Sequence, residues 1–349
     1  MGKVEMTFNK MFHGSNNTKL VKKAEKKKNR FFNKFIRADQ VKISSTKYLI
    51  KNWFGYEGLS MVYGSSGVGK TLLALDLAFH LAAGSDWFGN RVKQGSVAYI
   101  MSEGNNVSNN RIKAIEIEKS ELFSKASHLF YCLNDIVSLY SVKKDTTDFI
   151  EEVKQFNPRL IIIDTLAMAM SGGDENRTQD ITVVVENMKR IQQALGCHIM
   201  VLHHPGKDET RGARGSSALH AASDTVLELK KNKDAVCVRA VKQRDMEGDK
   251  ELNFKVQKVV IGEDDDGDEL SSAVIEETGP TLGEKQEDIL NIIIAYRDTG
   301  ISQSEIIKKL NDEGKPSHQS NVSRDLGKLE EKKCIHKLNN SYFPISKNL

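Results

Sequence analysis

The stretch LSMVYGSSGVGKTLLALDLAFHLAAG, residues 59–84, decides the fold of this chain. Residues 59–63 have strand character and enter the glycine-rich turn GSSGVGKT, which an apolar helix pattern follows. Strand, turn and helix in this order are the context that the P-loop pattern G-x-x-x-x-G-K-[ST] requires. Backbone N–H groups of such a turn and the positive end of the helix dipole bind phosphate. The stretch therefore predicts a binding site for a nucleoside triphosphate.

The turn supplies a phosphate cradle and two side chains with separate tasks. The residues of the expected cradle are Gly64, Ser65, Ser66, Gly67, Val68, Gly69, Lys70 and Thr71. Lys70 is expected to reach the β- and γ-phosphates, and the Thr71 hydroxyl is expected to ligate Mg²⁺. The guanine-specific pattern N-K-x-D is absent, because the acid of Asn232-Lys233-Asp234 comes one place early. We therefore predict ATP and Mg²⁺ as the bound species.

A second apolar run, LIIID at residues 160–164, ends in a carboxylate. Four consecutive apolar residues are typical of a strand that is covered on both faces of a parallel sheet. Ligands of open α/β sheets bind at the carboxyl ends of the strands, so Asp164 is expected near the phosphates. We predict that Asp164 is the Walker B residue and holds the water shell of Mg²⁺.

Length and composition indicate which class of protein this chain belongs to. The chain has 349 residues, of which 39% are hydrophobic, and a net charge of +4. It has no apolar run of about 18 residues and no apolar signal region at its charged start, so we expect a cytoplasmic protein without a membrane partner. The four cysteines lie far apart without a C-x-x-C pair. They are predicted to be reduced core residues rather than metal ligands or disulfides.

Changes in composition predict three segments. Residues 1–45 form a predicted flexible arm, in which residues 19–37 carry nine Lys/Arg against one acid. Such an arm fits nucleic-acid contact or a solvated tail equally well. Residues 46–279 alternate between strand and helix patterns, and this alternation predicts a parallel α/β ATPase core. Residues 280–349 form a predicted second domain.

The C-terminal segment has three helix patterns and a hairpin pattern around Asn339-Asn340. This order predicts a small winged helix-turn-helix domain, whose third helix offers its polar residues for groove contact. Those residues are Gln319, Asn321, Ser323 and Arg324. Residues 284–344 contain ten Lys/Arg and ten Asp/Glu, so the domain lacks the excess of positive charge that is typical of DNA-binding domains. Binding of duplex DNA and binding of a protein partner both stay open.

Several motifs together resemble the hexameric plasmid replication helicases of the RepA type, which are RecA-like ATPases. The motifs are GSSGVGKT, the acid Glu103, LIIIDT at 160–165, HH at 203–204 and RGSSAL at 214–219. VKQRD at 241–245 is similar to the finger motif of DnaB-type replicative helicases. The resemblance covers about residues 50–260. It implies a RecA-like, mostly parallel sheet flanked by helices.

The resemblance also implies an activity and partners. The expected protein is an ATP-dependent helicase or translocase that forms a homo-oligomeric ring, expected to be a hexamer, on single-stranded DNA. It would serve replication of a plasmid, phage or mobile element. The first alternative is a RecA/RadA-like recombination ATPase that forms filaments. The second is an ATP-switched DNA-binding regulator that acts through the winged helix.

Roles follow from the resemblance for residues that match its motifs. Glu103, expected at the end of the strand next to the P-loop strand, would polarise the attacking water as general base. His203 or His204 would sense the γ-phosphate. The expected fingers from an adjacent subunit are Arg214, Lys242 and Arg244. The loops 171–178 and 205–213 would face DNA, and their candidate phosphate contacts are Arg177, Lys207 and Arg211.

Overall fold

A nine-stranded sheet lies at the centre of the computed structural model. A two-stranded antiparallel ribbon precedes it, formed by β1 (Tyr48–Ile50) and β2 (Phe54–Gly55). The strands of the large sheet are β3 (Gly58–Tyr63), β4 (Val97–Met101), β5 (Phe130–Leu133), β6 (Leu160–Asp164), β7 (His198–His203), β8 (Thr225–Asn232), β9 (Ala235–Gln243), β10 (Glu251–Glu263) and β11 (Glu269–Thr278). Their spatial order is β11-β10-β9-β8-β3-β7-β6-β4-β5.

The structure describes residues 36–41, 47–102, 105–140, 143–204, 217–244, 246, 248, 250–279 and 282–345. The chain divides into two units, residues 1–46 and 47–349. The described part of the first unit contains a short 3₁₀-helix at Ala38–Gln40. Across the described residues, every helix is too short or too polar to cross a membrane.

Strand direction divides the sheet into two parts. The strands from β8 through β3, β7, β6 and β4 to β5 are parallel. β9, β10 and β11 extend the sheet antiparallel, and β10 and β11 form a hairpin around the acidic residues 264–268. The predicted α/β class with a mostly parallel sheet is confirmed.

Helices cover both faces of this sheet. They are α1 (Lys70–Ala83), α2 (Asn105–Glu118), α3 (Ser120–Ala126), α4 (Lys143–Lys154), α5 (Leu166–Ala169), α6 (Thr178–Leu195) and α7 (Ser217–Ala222). Side chains alternate along each strand, so Val62 packs with α1 in one hydrophobic cluster and Met61 packs with α6 in another. Because both faces are covered, the apolar run 160–163 is buried without interruption.

Residues 282–345 form three helices and a small sheet. The helices are α8 (Glu284–Ala295), α9 (Gln303–Asp312) and α10 (Gln319–Glu331). The strands β12 (Ile301–Ser302), β13 (Ile335–Leu338) and β14 (Ser341–Pro344) form an antiparallel sheet in the order β12-β14-β13. These elements bury a hydrophobic cluster of their own, with Ile293, Leu326 and Tyr342 among its members.

Two expectations from the sequence are wrong in the structure. The strand that precedes Glu103 is not next to the P-loop strand, because β7 and β6 lie between β3 and β4. The cysteines are not all core residues either: Cys197 and Cys334 are buried, but Cys132 is exposed at the sheet edge on β5. An apolar pattern predicts a strand, but it does not predict the position of that strand in the sheet.

Candidate functional site

The turn between β3 and α1 brings the expected phosphate cradle together. All six residues of β3 are buried, and Lys70 is the first residue of α1. Gly67 and Gly69 have φ angles of +74° and +103°, which residues with a Cβ atom rarely adopt. The two glycines therefore allow the turn to adopt a left-handed backbone where it leads into the N-terminus of α1, the end of a helix at which anions bind.

The start of the turn passes very close to its neighbours. A Cβ on Gly64 would lie 2.6 Å from the backbone oxygen of Leu229 on β8. A Cβ on Gly69 would lie 3.2 Å from the ring of Phe254 on β10. Glycine is required at Gly64 because backbone cannot move aside as a flexible side chain does.

The Lys70 ammonium is buried at the mouth of the cradle. It donates hydrogen bonds to the backbone oxygens of Gly64 and Ser65, at 2.7 and 2.9 Å. Its Nζ also lies 3.1 Å from Nδ1 of His204. The P-loop cation and one residue of the predicted histidine pair thus belong to the same site.

Asp164 ends β6 and is 3% exposed. The hydroxyl of Tyr99, which is fully buried on β4, donates a hydrogen bond of 2.9 Å to Oδ2 of Asp164. The carboxyl ends of β4 and β6 meet here, since Met101 pairs with Asp164. Tyr99 cannot be identified from the sequence, because a tyrosine in an apolar strand pattern gives no sign of its partner.

His203 is the last residue of β7, between β3 and β6. Its ring is 3% exposed, and its Nδ1 lies 3.9 Å from Oε2 of Glu175. Burial, and then the nearby charges of His204 and Lys70, lower the pKa of His203 to about 4. His203 is therefore neutral at physiological pH.

Glu175 was also not identified from the sequence. It lies in the loop between α5 and α6, where its side chain is 34% exposed. Burial, and then the charge of Asp174, raise the pKa of the Glu175 carboxyl. An acid in a polar loop is unremarkable as a sequence, and only the fold brings it to His203. Arg177 of the same loop is exposed and directly precedes α6.

Two predicted finger residues, Lys242 on β9 and Arg244 just after it, lie towards the amino ends of the parallel strands, away from the P-loop. Arg244 forms a salt bridge of 2.6 Å with Asp224, and Asp224 also accepts a hydrogen bond from the backbone N–H of Leu59. Leu59 lies near the amino end of β3, about 13 Å of strand from Tyr63 at about 3.3 Å per residue. Lys242 donates to the backbone oxygens of His220 and Ala221. The geometry does not bring Arg244 to the P-loop of its own chain.

The remaining predicted residues are in other places. Arg324 is exposed on α10 and donates a hydrogen bond of 3.1 Å to Asn321. Four predicted residues lie outside the described part of the chain: Glu103, Lys207, Arg211 and Arg214.

The residues at this site fit a nucleotide with Mg²⁺. Magnesium is usually held by one or two protein oxygens together with phosphate oxygens and water, rather than by a protein cage. Among the described residues no group of three or more His, Cys, Asp or Glu side chains suits a metal ion. Thr71 and Asp164 offer one hydroxyl and one carboxylate, which is the donor set expected beside bound phosphates.

Three comparisons with known proteins were made. A family model described as an AAA domain matches residues 25–210. The crystal structure of the RadB recombinase is 18% identical, covers 58% of this chain and 90% of its own, and has a TM-score of 0.41. A KaiC-like protein from the hyperthermophilic archaeon Pyrococcus horikoshii OT3 is 18% identical, covers 62% and 94%, and has a TM-score of 0.43. No curated protein matches the sequence.

Proposed function

The chain belongs to the AAA-domain family, whose model spans more than half of it, and we propose that this P-loop ATPase is a helicase or translocase on single-stranded DNA. In this proposal it forms a homo-oligomeric ring, expected to be a hexamer, and serves replication of a plasmid, phage or mobile element. The observation that carries the proposal is the position of Arg244. It lies near the amino ends of the parallel strands, whereas the P-loop lies at their carboxyl ends. A cation there suits the site of a neighbouring subunit better than its own.

The chemistry that we propose is hydrolysis of the γ-phosphate of ATP. Lys70 and the N–H groups of residues 64–71 would bind the phosphates, and Thr71 and Asp164 would hold Mg²⁺, which would supply positive charge to the phosphate oxygens. Glu103 takes a proton from the attacking water as the bond between the γ-phosphorus and ADP breaks. His203 and His204 lie beside Lys70 and sense whether the γ-phosphate is present.

A neighbouring subunit supplies the remaining positive charge. Charge develops on the γ-phosphoryl oxygens in the transition state, and a cation there is worth about 10³–10⁵ in rate. We assign this role to Arg214, Lys242 and Arg244. The ring would thus hydrolyse ATP only where two subunits meet.

Single-stranded DNA would bind to the loops beside the site. Arg177, Lys207 and Arg211 are the proposed phosphate contacts, and contacts of this kind need no base sequence. Arg177 is exposed on its loop. For residues 280–349 we propose a winged-helix domain that binds duplex DNA or a protein partner, with Arg324 as a groove contact on α10.

The test is ATP hydrolysis with and without single-stranded DNA, combined with native mass and a duplex-unwinding assay. We expect closed rings, DNA-stimulated hydrolysis and unwinding. Lys70→Ala should abolish nucleotide binding, and Glu103→Gln should bind ATP without hydrolysing it. The exposed Lys231→Ala is the matched control and should behave like the wild type.

Three results would contradict the proposal. Filaments with strand exchange would indicate a recombination ATPase instead. Duplex binding without translocation would indicate an ATP-switched regulator. Hydrolysis by Glu103→Gln at the wild-type rate would show that Glu103 is not the general base.

A further inference from the structure

Two buried polar atoms face each other beside the P-loop. Nδ1 of His203 and Oε2 of Glu175 are 3.9 Å apart, and neither has a hydrogen-bond partner among the described residues. Folded proteins pair more than about 90% of their buried polar groups. A gap of 3.9 Å is about 1 Å longer than an N–H···O hydrogen bond, so a small movement of either side chain forms one.

The loop around Glu175 is held in place on both sides. Asp174 accepts hydrogen bonds from the backbone and side-chain N–H groups of Asn176, and its own N–H donates to Asp180. Gly173 lies flat against Tyr140, where a Cβ would come within 2.8 Å of the ring. These contacts therefore fix the backbone position of Glu175. From that position its carboxyl group lies next to the ring of His203.

The charges around His203 come from three places. They are Glu175 from the loop, His204 from the next position along the chain and Lys70 from α1. His203 is neutral at physiological pH and so carries one ring proton, on either Nδ1 or Nε2. A carboxylate that faces Nδ1 stabilises the proton on that nitrogen and leaves Nε2 as an acceptor.

We propose that Glu175 is a positioning residue that holds His203 in the Nδ1–H tautomer and fixes the orientation of its ring. The importance of this for catalysis rests on the proposed function, in which His203 senses the γ-phosphate. The loop that carries Glu175 also carries Arg177, so DNA bound to Arg177 would act next to a side chain that needs to move only about 1 Å to change its contact with His203. Glu175 thereby links DNA on the loop to the state of the ATP site.

The direct test is NMR of the imidazole nitrogens in the full chain, labelled with ¹⁵N-histidine. The His203 signal is assigned by its loss in His203→Gln. We expect Nδ1–H at His203 in the wild type and in Glu186→Gln, which removes an exposed acid from α6. Glu175→Gln should move at least half of His203 to the Nε2–H tautomer and leave His204 unchanged. An unchanged tautomer in Glu175→Gln, or Nε2–H in the wild type, overturns the proposal.

A second readout concerns DNA. Glu175→Gln should reduce the stimulation of ATP hydrolysis by single-stranded DNA about tenfold, with the KM for ATP changed less than about threefold. Full stimulation in Glu175→Gln would overturn the link between the loop and the site. If the wild type does not hydrolyse ATP, the proposed function fails, but the tautomer measurement still decides whether Glu175 positions His203.

Discussion

At the scale of single residues, the site depends on how buried charged groups are held. The Asp164 carboxylate is almost inaccessible to water, so it needs hydrogen-bond donors inside the protein. Tyr99 supplies one of them from the neighbouring strand. A hydrogen bond to a charged group contributes about 1.5–3 kcal/mol, which is enough to fix the direction of the carboxylate.

We predict that Tyr99→Phe lowers both stability and activity, because it removes the hydroxyl but keeps the ring. The free energy of unfolding should fall by about 1.5–3 kcal/mol and the kcat for ATP by about tenfold. Urea unfolding and steady-state hydrolysis measure these changes. Tyr131→Phe is the control, because the Tyr131 hydroxyl donates to an exposed backbone oxygen of His128. Equal behaviour of the two variants would contradict the role of Tyr99.

The sequence predicts some residues of the site and not others for a physical reason. The cradle and Lys70 lie in one local turn, so spacing alone identifies them. Tyr99 meets a residue 65 positions away, and Glu175 meets His203 across two elements. Those contacts depend on the register and order of strands, which hydrophobic periodicity does not encode.

At the scale of elements, His198 joins the small ribbon to the large sheet. It is the first residue of β7 and is buried. Its Nδ1 lies 3.0 Å from the backbone oxygen of Gly55, and its Nε2 lies 2.9 Å from the Ser60 hydroxyl. The carbonyl accepts only, so Nδ1–H donates to it, and Nε2 accepts from Ser60. Burial, the largest influence, lowers the pKa of His198 to about 4.

This arrangement predicts a pH dependence of stability. His198 and His203 both have a pKa of about 4 in the folded chain, below the usual value of 6.5. Between pH 6.5 and 4 the unfolded chain binds more protons, so stability falls as the pH falls through this range. His198→Gln should show a smaller fall than the wild type in urea unfolding at pH 7 and pH 5. The exposed His128→Gln is the control, and an identical slope in all three proteins would contradict this account.

A clear apolar pattern predicts a strand well, whereas a helix that begins with polar residues is hard to predict from the sequence. The strand at 160–164 has the bounds that its apolar run predicts. Helices α2 and α3 were missed, since α2 begins with a polar run that resembles a loop.

At the scale of the whole molecule, residues 284–344 pack around their own hydrophobic cluster. We predict that removal of residues 281–349 leaves ATP hydrolysis within about twofold of the wild type. Binding of duplex DNA or of a protein partner should weaken, as gel shifts and pull-down assays measure. Loss of all hydrolysis in a soluble, assembled truncation would mean that this segment belongs to the catalytic body.

Lys70 and Arg244 lie towards opposite ends of the strands of the large sheet. Lys70 lies at the carboxyl end of β3, and Arg244 lies near the amino end. A head-to-tail ring repeats one interface, so it brings opposite sides of the chain together at every contact. In the proposed function, each hydrolytic site would therefore combine the P-loop of one subunit with a cation of the next.

The most direct test is a subunit-mixing experiment that measures ATP hydrolysis by Lys70→Ala and Arg244→Ala, apart and co-assembled. Each variant should assemble and be inactive alone, and the exposed Arg239→Ala should stay active as a control. In 1:1 mixed rings about a quarter of the interfaces join an intact P-loop to an intact arginine, so about a quarter of the wild-type rate should return. Mixed rings that native mass demonstrates but that hydrolyse no ATP would contradict the claim.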